Sequence, residues 1–180
     1  MNNIYEQYKA YNNNSSIYDP HIGYPQPCCN RPPIQHPGCW EQCIDLSDHG
    51  PNPYVVNIEE ATRQNYTFRT ALWTGEYLQL TVMSINPRDD VGLELHSDHD
   101  QFLRIEEGQG LVLMGDSRDN LYFQERVSDG YVIFVPAGKW HNLINIGCVP
   151  LKLYSIYAPP QHPHGTVHRT KEDAEGHSVY

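Results

Sequence analysis

Two segments of the chain combine a β-strand pattern with side chains that bind metal ions. The first runs from Gly92 to Gly108 and the second from Gly130 to Asn145. Each reads as a strand, a turn and a second strand. Glu94 and His96 are two residues apart on a predicted strand, so their side chains point to the same face. Gln101 begins the strand after the first turn, and His141 follows the turn of the second segment. If the Glu94 carboxylate, the Gln101 amide oxygen and the imidazoles of His96 and His141 converge inside a small barrel, they would hold one divalent metal ion.

Short strand patterns continue on both sides of these segments, divided by residues that favour turns. Eight or more short strands at such spacing are typical of an antiparallel sandwich or jelly roll. One short helix is predicted at 58–62, with Asn57 as its N-cap. The predicted strands cover 68–73, 77–85, 91–96, 101–106, 111–114, 121–127, 131–135, 140–145 and 149–157.

The second segment resembles the second sequence motif of the cupin superfamily. Gly130, Pro136, Gly138, His141 and Asn145 have the spacing of that motif. The resemblance implies an all-β cupin double-stranded β-helix, which is a jelly-roll barrel. The chain resembles small single-domain cupins of the mannose-6-phosphate isomerase-like kind, and the resemblance implies a homodimer because small cupins are commonly dimers.

The first segment resembles a variant of the first cupin motif. Counting back from Gly108 places Gln101 where that motif usually has glutamate. His96 then takes the place of the second histidine, and Glu94 takes the place of the first. With His141 from the second motif, the resemblance implies a metal ligand set of Glu94, His96, Gln101 and His141.

The identity of the metal stays open at this point. Two imidazoles, a carboxylate and an amide oxygen suit Zn, Fe, Mn, Ni or Co. His99 follows His96 by three residues, and its role is open between a further ligand, a residue that supports the ligands, and a surface residue. The resemblance covers roughly residues 70–160 and says little about the substrate, because one fold hosts many activities.

The chain is predicted to divide into an N-terminal arm at 1–53, a barrel at 54–160 and a C-terminal tail at 161–180. The arm holds eight of the 14 prolines, four of the five cysteines and several tyrosines, with few aliphatic residues. Such a composition favours an extended or disordered segment. Its cysteines are either free thiols or cross-linking residues, because their spacing does not match a paired zinc site. They are Cys28, Cys29, Cys39 and Cys43.

The tail holds three closely spaced histidines, which fit either a solvated tail or a metal-binding tract. They are His162, His164 and His168.

Charge and hydropathy exclude several classes of partner. The formal net charge of -10 argues against nucleic acid. No apolar run approaches the ~18 residues of a membrane span, and the N-terminus lacks the pattern of a secretory signal. We therefore expect a bacterial cytoplasmic protein. The alternative is a spore-coat or other assembled-layer component, in which the arm connects neighbouring molecules.

Three classes of function fit these features. The first is a metal-dependent enzyme that acts on a small polar or sugar-like molecule, with isomerase-like or dioxygenase chemistry. Isomerisation would need a general base, for which Glu106, Lys139 and Tyr154 are candidates. The second is a non-catalytic ligand-binding module, and the third is a structural protein. A dimer surface is expected where Phe102 faces outward together with the reverse face of the first ligand strand, which carries Leu93 and Leu95.

Overall fold

Ten strands in two antiparallel sheets form the barrel within residues 43–175, which are the residues that the computed structural model describes. The six-stranded sheet has the order β10-β1-β2-β9-β4-β7, and the four-stranded sheet has the order β3-β8-β5-β6. The predicted all-β jelly roll is confirmed. Most of the predicted arm, including Cys28, Cys29 and Cys39, lies outside the described residues. The elements are α1 (Ile58–Gln64), β1 (Arg69–Thr74), β2 (Gln79–Ile85), β3 (Glu94–Leu95), β4 (Gln101–Glu107), β5 (Gln109–Gly115), β6 (Phe123–Ser128), β7 (Val132–Val135), β8 (Trp140–Asn145), β9 (Leu151–Tyr157), β10 (Val167–His168) and α2 (Lys171–Glu175).

The main core lies between the two sheets and follows the two-residue period of the strands. On β4, Gln101, Leu103 and Ile105 are buried, whereas Phe102 and Arg104 between them are half-buried. Successive side chains point to opposite faces of a strand, so the buried set faces the barrel interior. The core includes Met83, Ile85, Leu103, Ile105, Val112, Val135, Leu143, Leu151 and Leu153.

The outer face of the six-stranded sheet is covered by α1. The predicted cap is confirmed, because the Asn57 side chain accepts a hydrogen bond from the Glu60 backbone N–H at 3.4 Å. The helix places Ala61 against Leu72 and Val82 on the outer face of the sheet. Both faces of β2 are therefore buried. Neither helix within residues 43–175 is long and apolar enough to cross a membrane.

The residues before α1 also pack against the sheet. Ile44, Leu46, Tyr54 and Val56 contact the same outer cluster. The Gln64 side chain pairs with the backbone of Ile44, donating to its carbonyl at 2.6 Å and accepting from its N–H at 2.8 Å. The chain therefore joins the barrel at least ten residues before the predicted boundary at 54.

The first ligand strand is shorter than predicted. The sequence pattern indicated 91–96, but β3 contains only Glu94–Leu95. Gly92 has a φ of 101°, which glycine adopts without strain and which interrupts the strand pattern between Val91 and Glu94. His96 lies just beyond the C-terminal end of β3 rather than within it.

Part of the predicted tail returns to the sheet. β10 pairs with β1, and Arg69 lies opposite His168. Gln79, which is fully buried, accepts a hydrogen bond from the His162 N–H at 2.9 Å and donates one to the His162 carbonyl at 2.8 Å. These bonds hold the stretch after β9 against the barrel.

Candidate metal centre

Glu94 and His141 come together because their strands are neighbours. They are directly opposite each other in the antiparallel pair β3–β8, so their side chains lie side by side on one face. The His141 ring is held by its Nδ1, which lies 3.0 Å from the Lys139 carbonyl oxygen. That contact leaves Nε2 facing Glu94, with 4.0 Å between Nε2 and the Glu94 Oε2.

His96 completes a group of three. The Gly138 N–H donates to the His96 carbonyl at 2.7 Å, which fixes the backbone of His96 beside the turn before β8. The His96 Nε2 is 3.7 Å from the Glu94 Oε2. One ligand atom each from Glu94, His96 and His141 therefore lies within 4.8 Å of the other two. This cluster could hold a metal ion.

The donor atoms of this group fit a metal ion. The Nε2 atoms of His96 and His141 are buried and have no hydrogen-bond partner within the described part of the chain. Two donors bound to one ion at ~2.1 Å are roughly 3.0–3.5 Å apart, so the 3.7 and 4.0 Å distances from the Glu94 Oε2 to the two imidazoles would shorten by up to about 1 Å on binding. Unpaired buried nitrogens are costly, and a bound ion would remove that cost.

Gln101 lies at the same end of the barrel, on the facing sheet. Its Nε2 donates to the Ser155 Oγ at 2.9 Å, which turns the amide oxygen away from Ser155. That oxygen is buried and has no hydrogen-bond partner among residues 43–175. Gln101 and His141 line one small cavity. The assignment of Gln101 as the fourth ligand stays a prediction.

The carboxylate of Glu94 is strongly stabilised in its charged form. Burial alone would raise its pKa, but the His96 imidazole first and the Arg69 charge next outweigh burial and lower the pKa to about 2. Burial also lowers the pKa of His141. Both effects favour a carboxylate and a neutral imidazole, which are the forms that bind metals.

His99 is buried beside the group rather than exposed in the turn. Its ring stacks on that of His96, with the ring centroids 4.7 Å apart. Its Nδ1 is 2.8 Å from the Asp98 carboxylate, and its Nε2 is buried with no partner in the described chain. It is not one of the three residues whose ligand atoms converge within 4.8 Å.

Three further side chains surround the group, and the sequence did not single them out as members of this site. Arg69 Nη2 donates to the Glu94 Oε1 at 3.4 Å. The Tyr157 ring lies edge-on to that of His96, with centroids 6.0 Å apart. The His162 ring lies 5.3 Å from that of Tyr157. The cluster of histidines in the tail was the only sequence feature that could have suggested a role for His162. No local sequence pattern indicated that Arg69 would lie in the site.

The three tail histidines do not share one environment. His164 turns away from the site, and its Nε2 is 2.9 Å from the Gly50 carbonyl oxygen. His168 is buried, and its ring centroid is 6.2 Å from that of His162. Within residues 43–175 the only group of three converging metal-binding side chains is the one around Glu94.

The three candidate bases do not face the metal-binding group. Glu106 lies five residues along β4 from Gln101, roughly 16 Å away, and pairs with the Arg104 Nε at 3.1 Å. Lys139 forms an exposed ion pair with Asp116. Tyr154 packs in the outer cluster against α1. None of these contacts involves Glu94, His96 or His141, and the role of each candidate as a base stays a prediction.

One side of the site is apolar. The cavity shared by Gln101 and His141 is otherwise lined largely by aliphatic and methionine side chains from both sheets. The apolar lining residues are Val91, Leu103, Val112, Met114, Ile133, Val135 and Leu143.

Because His162 is largely buried, we expect the free energy of unfolding to depend on pH through this residue. Burial first, and the Arg69 charge next, lower the pKa of His162 to about 3. The unfolded chain takes up a proton at this residue below its ordinary pKa of ~6.5, and the folded chain does not until about 3. The folded state is therefore favoured above pH 6.5, and this contribution is lost as the pH falls from 6.5 toward 3.

We expect the metal-free protein to lose about 2 kcal/mol from this residue between pH 7.5 and pH 5. His162→Gln should remove that part of the loss, as measured by urea unfolding at both pH values. His164→Gln is the matched control, because the His164 side chain is 57% exposed, and it should keep the wild-type difference. An unchanged difference in His162→Gln would contradict the burial of this ring.

Comparison with known proteins places this geometry in a family context. The model of the cupin domain family matches residues 81–157. The chain is 64% identical over 129 residues to the uncharacterized protein YrkC of Bacillus subtilis. The matched region covers 72% of this chain and 69% of YrkC. It is 40% identical over 115 residues to the uncharacterized protein L612 of Acanthamoeba polyphaga mimivirus, covering 63% of this chain and 70% of that protein.

Solved structures agree with the fold. The crystal structure of BH2720 from Bacillus halodurans is similar, with a TM-score of 0.72 and 63% identity, covering 73% of this chain and 99% of that one. TT1209 from Thermus thermophilus has a TM-score of 0.50 and 20% identity, covering 58% of this chain and 96% of that one. At that identity the likeness shows the fold alone.

Proposed function

The chain belongs to the cupin family, and from that premise we propose that its barrel holds one divalent metal ion through which it binds and acts on a small polar molecule. The observation that carries this proposal is the set of buried, unpartnered donor atoms on His96, His141 and Gln101 around the Glu94 carboxylate. The proposed ligands are Glu94, His96, His141 and Gln101. A bound ion would act there as a Lewis acid that polarises an oxygen of the bound molecule.

The side chains around the ion have separable roles in this proposal. Arg69 orients the Glu94 carboxylate through its contact with Oε1. His99 and Tyr157 lie beside His96 and are the titratable groups positioned to hold a proton next to the bound molecule. His162 and the stretch that Gln79 anchors limit the access of water. Isomerase-like chemistry on a sugar-like molecule would depend on these residues, because Glu106, Lys139 and Tyr154 lie elsewhere.

A second candidate function is an iron-dependent dioxygenase. Two histidines and one carboxylate that converge on one point are the ligand type of non-haem iron oxygenases. Consumption of oxygen by the iron-loaded protein, and not by the zinc-loaded protein, would distinguish this candidate from the first.

A homodimer is proposed on the basis of an exposed apolar patch. On the outer face of the six-stranded sheet, Phe134 is 69% exposed and its ring lies 5.4 Å from that of Phe102. Val132 on the same strand is also exposed. Leu95 belongs to the other sheet, so it does not extend this patch as the sequence suggested. The spore-coat alternative depends on the arm, most of which lies outside the described residues.

Elemental analysis of the untagged protein tests the metal proposal directly. We expect about one metal ion per chain, removable by a chelator. Because an ion that binds only the folded state stabilises it, adding the ion back should raise the melting temperature. Protein that contains no metal after growth and purification under metal-replete, reducing conditions would contradict the proposal and favour a binding or structural role without a metal.

A further inference from the structure

Arg69 is a buried arginine whose charge is only partly used by the fold. Its side chain is 4% exposed, and Glu94 is the one carboxylate within ion-pair distance among residues 43–175. The two groups are 3.4 Å apart, which is long for a charged hydrogen bond. The Arg69 Nε is buried and has no hydrogen-bond partner in the described chain. A guanidinium has five N–H donors, so this one retains unused capacity.

The balance of charge in the site changes when a metal ion binds. Glu94 is the one acidic group facing Arg69, and it also faces His96 and His141 through its other oxygen. A divalent ion added to this group leaves one carboxylate against the ion and one guanidinium, so two positive charges remain uncompensated. Buried charges without partners are costly. An anionic ligand such as a monocarboxylate would compensate one of these two charges and lower that cost.

The positions of the Glu94 oxygens show where such a ligand would bind. Oε1 faces Arg69, and Oε2 faces the two histidines. An ion held by Glu94, His96 and His141 would therefore bind next to the oxygen that faces the histidines, while Arg69 contacts the other oxygen of the same carboxylate. The parallel N–H groups of a guanidinium match the planar geometry of a carboxylate, so a ligand carboxylate suits this position.

We propose that Arg69 selects a small carboxylate as the ligand of this site, with one carboxylate oxygen on the metal ion and the other on the guanidinium. The inference rests on the metal centre proposed above and names its ligand class. The ligand is small, because the cavity beside Gln101 and His141 has room for little more than a water molecule. Arg69 is a specificity-determining residue in this proposal.

The test uses protein loaded with cobalt(II), whose visible absorption spectrum changes when a ligand binds the ion. Wild type, Arg69→Met, Arg69→Lys and Arg126→Met are saturated with cobalt, and the cobalt content of each is checked by elemental analysis. Each is then titrated with acetate and with its neutral analogue acetamide. Arg126 is the matched control, because it is exposed on β6.

We expect wild type and Arg126→Met to bind acetate at least about 10-fold more tightly than acetamide. Arg69→Met should lose about 10- to 50-fold in acetate affinity with little change for acetamide, because one charged pair of hydrogen bonds is removed. Arg69→Lys should fall between them, since it keeps the charge and loses the fork. If Arg69 served only to neutralise the charge of Glu94, lysine would replace it fully. The acetate affinity of Arg69→Lys would then equal that of wild type.

The outcomes separate this inference from the proposal on which it rests. Wild type that binds no cobalt overturns the metal centre and, with it, the assigned ligand. Wild type that binds cobalt but shows no preference for acetate, or whose preference survives in Arg69→Met, overturns the role of Arg69 and leaves the metal centre intact.

Discussion

Replacing His141 with alanine is expected to remove the bound metal ion while leaving a folded β protein. The ring supplies one of the three converging donors, and its contact with the Lys139 carbonyl oxygen already holds Nε2 toward Glu94. Loss of a hydrogen-bonded residue behind a ligand typically costs 10–100-fold in metal affinity, and loss of the ligand itself should cost on the order of 1,000-fold. The metal content should fall from about one ion per chain to below about one tenth.

Elemental analysis after gel filtration measures this change, and circular dichroism verifies the fold. His164→Ala is the matched control, because that histidine lies near Gly50 and outside the metal-binding group. It should retain the full metal content. A double variant, His96→Ala with His141→Ala, that still held one ion per chain would refute the site.

Replacing Asn145 with alanine is expected to lower the free energy of unfolding by about 3–5 kcal/mol. Its side chain is fully buried and makes three hydrogen bonds to the backbone. Nδ2 donates to the carbonyls of Ile85 at 2.9 Å and Val149 at 2.8 Å, and Oδ1 accepts from the Gly147 N–H at 2.9 Å. Each bond contributes about 1 kcal/mol, and each buried group left without a partner adds a cost of about 1–3 kcal/mol.

Urea unfolding of the metal-free proteins measures this loss. Asn142→Ala is the matched control on the same strand, because its Oδ1 is buried without a hydrogen-bond partner in the described chain. That substitution should change the free energy of unfolding by less than about 1 kcal/mol. Equal losses in the two variants would show that the Asn145 bonds do not stabilise the fold.

The strand pattern and the second motif predicted the fold from local information. A turn at Pro136 to Gly138 followed by an inward His141 depends only on the chain's own turn residues and on the two-residue period of a strand. The helix cap at Asn57 is equally local. The strand pattern failed at 91–96, where the positive φ of Gly92 interrupts it and leaves a strand of two residues.

The surroundings of the metal-binding group were not predictable in this way. Arg69 precedes Glu94 by 25 residues, and Tyr157 and His162 follow it by more than 60. The period of a strand tells which face a side chain takes, but it does not tell which strand lies beside it or across the barrel. Glu106, Lys139 and Tyr154 were proposed as bases from residue type alone, which does not tell where a side chain lies in the barrel, and their role stays a prediction.

The sequence by itself therefore determined the class of fold and the side chains that can bind a metal ion, because both follow from short-range spacing within single strands and turns. The tertiary structure alone decided that Glu94 lies opposite His141 and that His162 lies against Tyr157. It also decided that one oxygen of Glu94 contacts Arg69 while the other faces the two histidines. Those relations depend on pairing and packing between distant segments. They are stabilised by burial and hydrogen bonds that form only when the barrel closes.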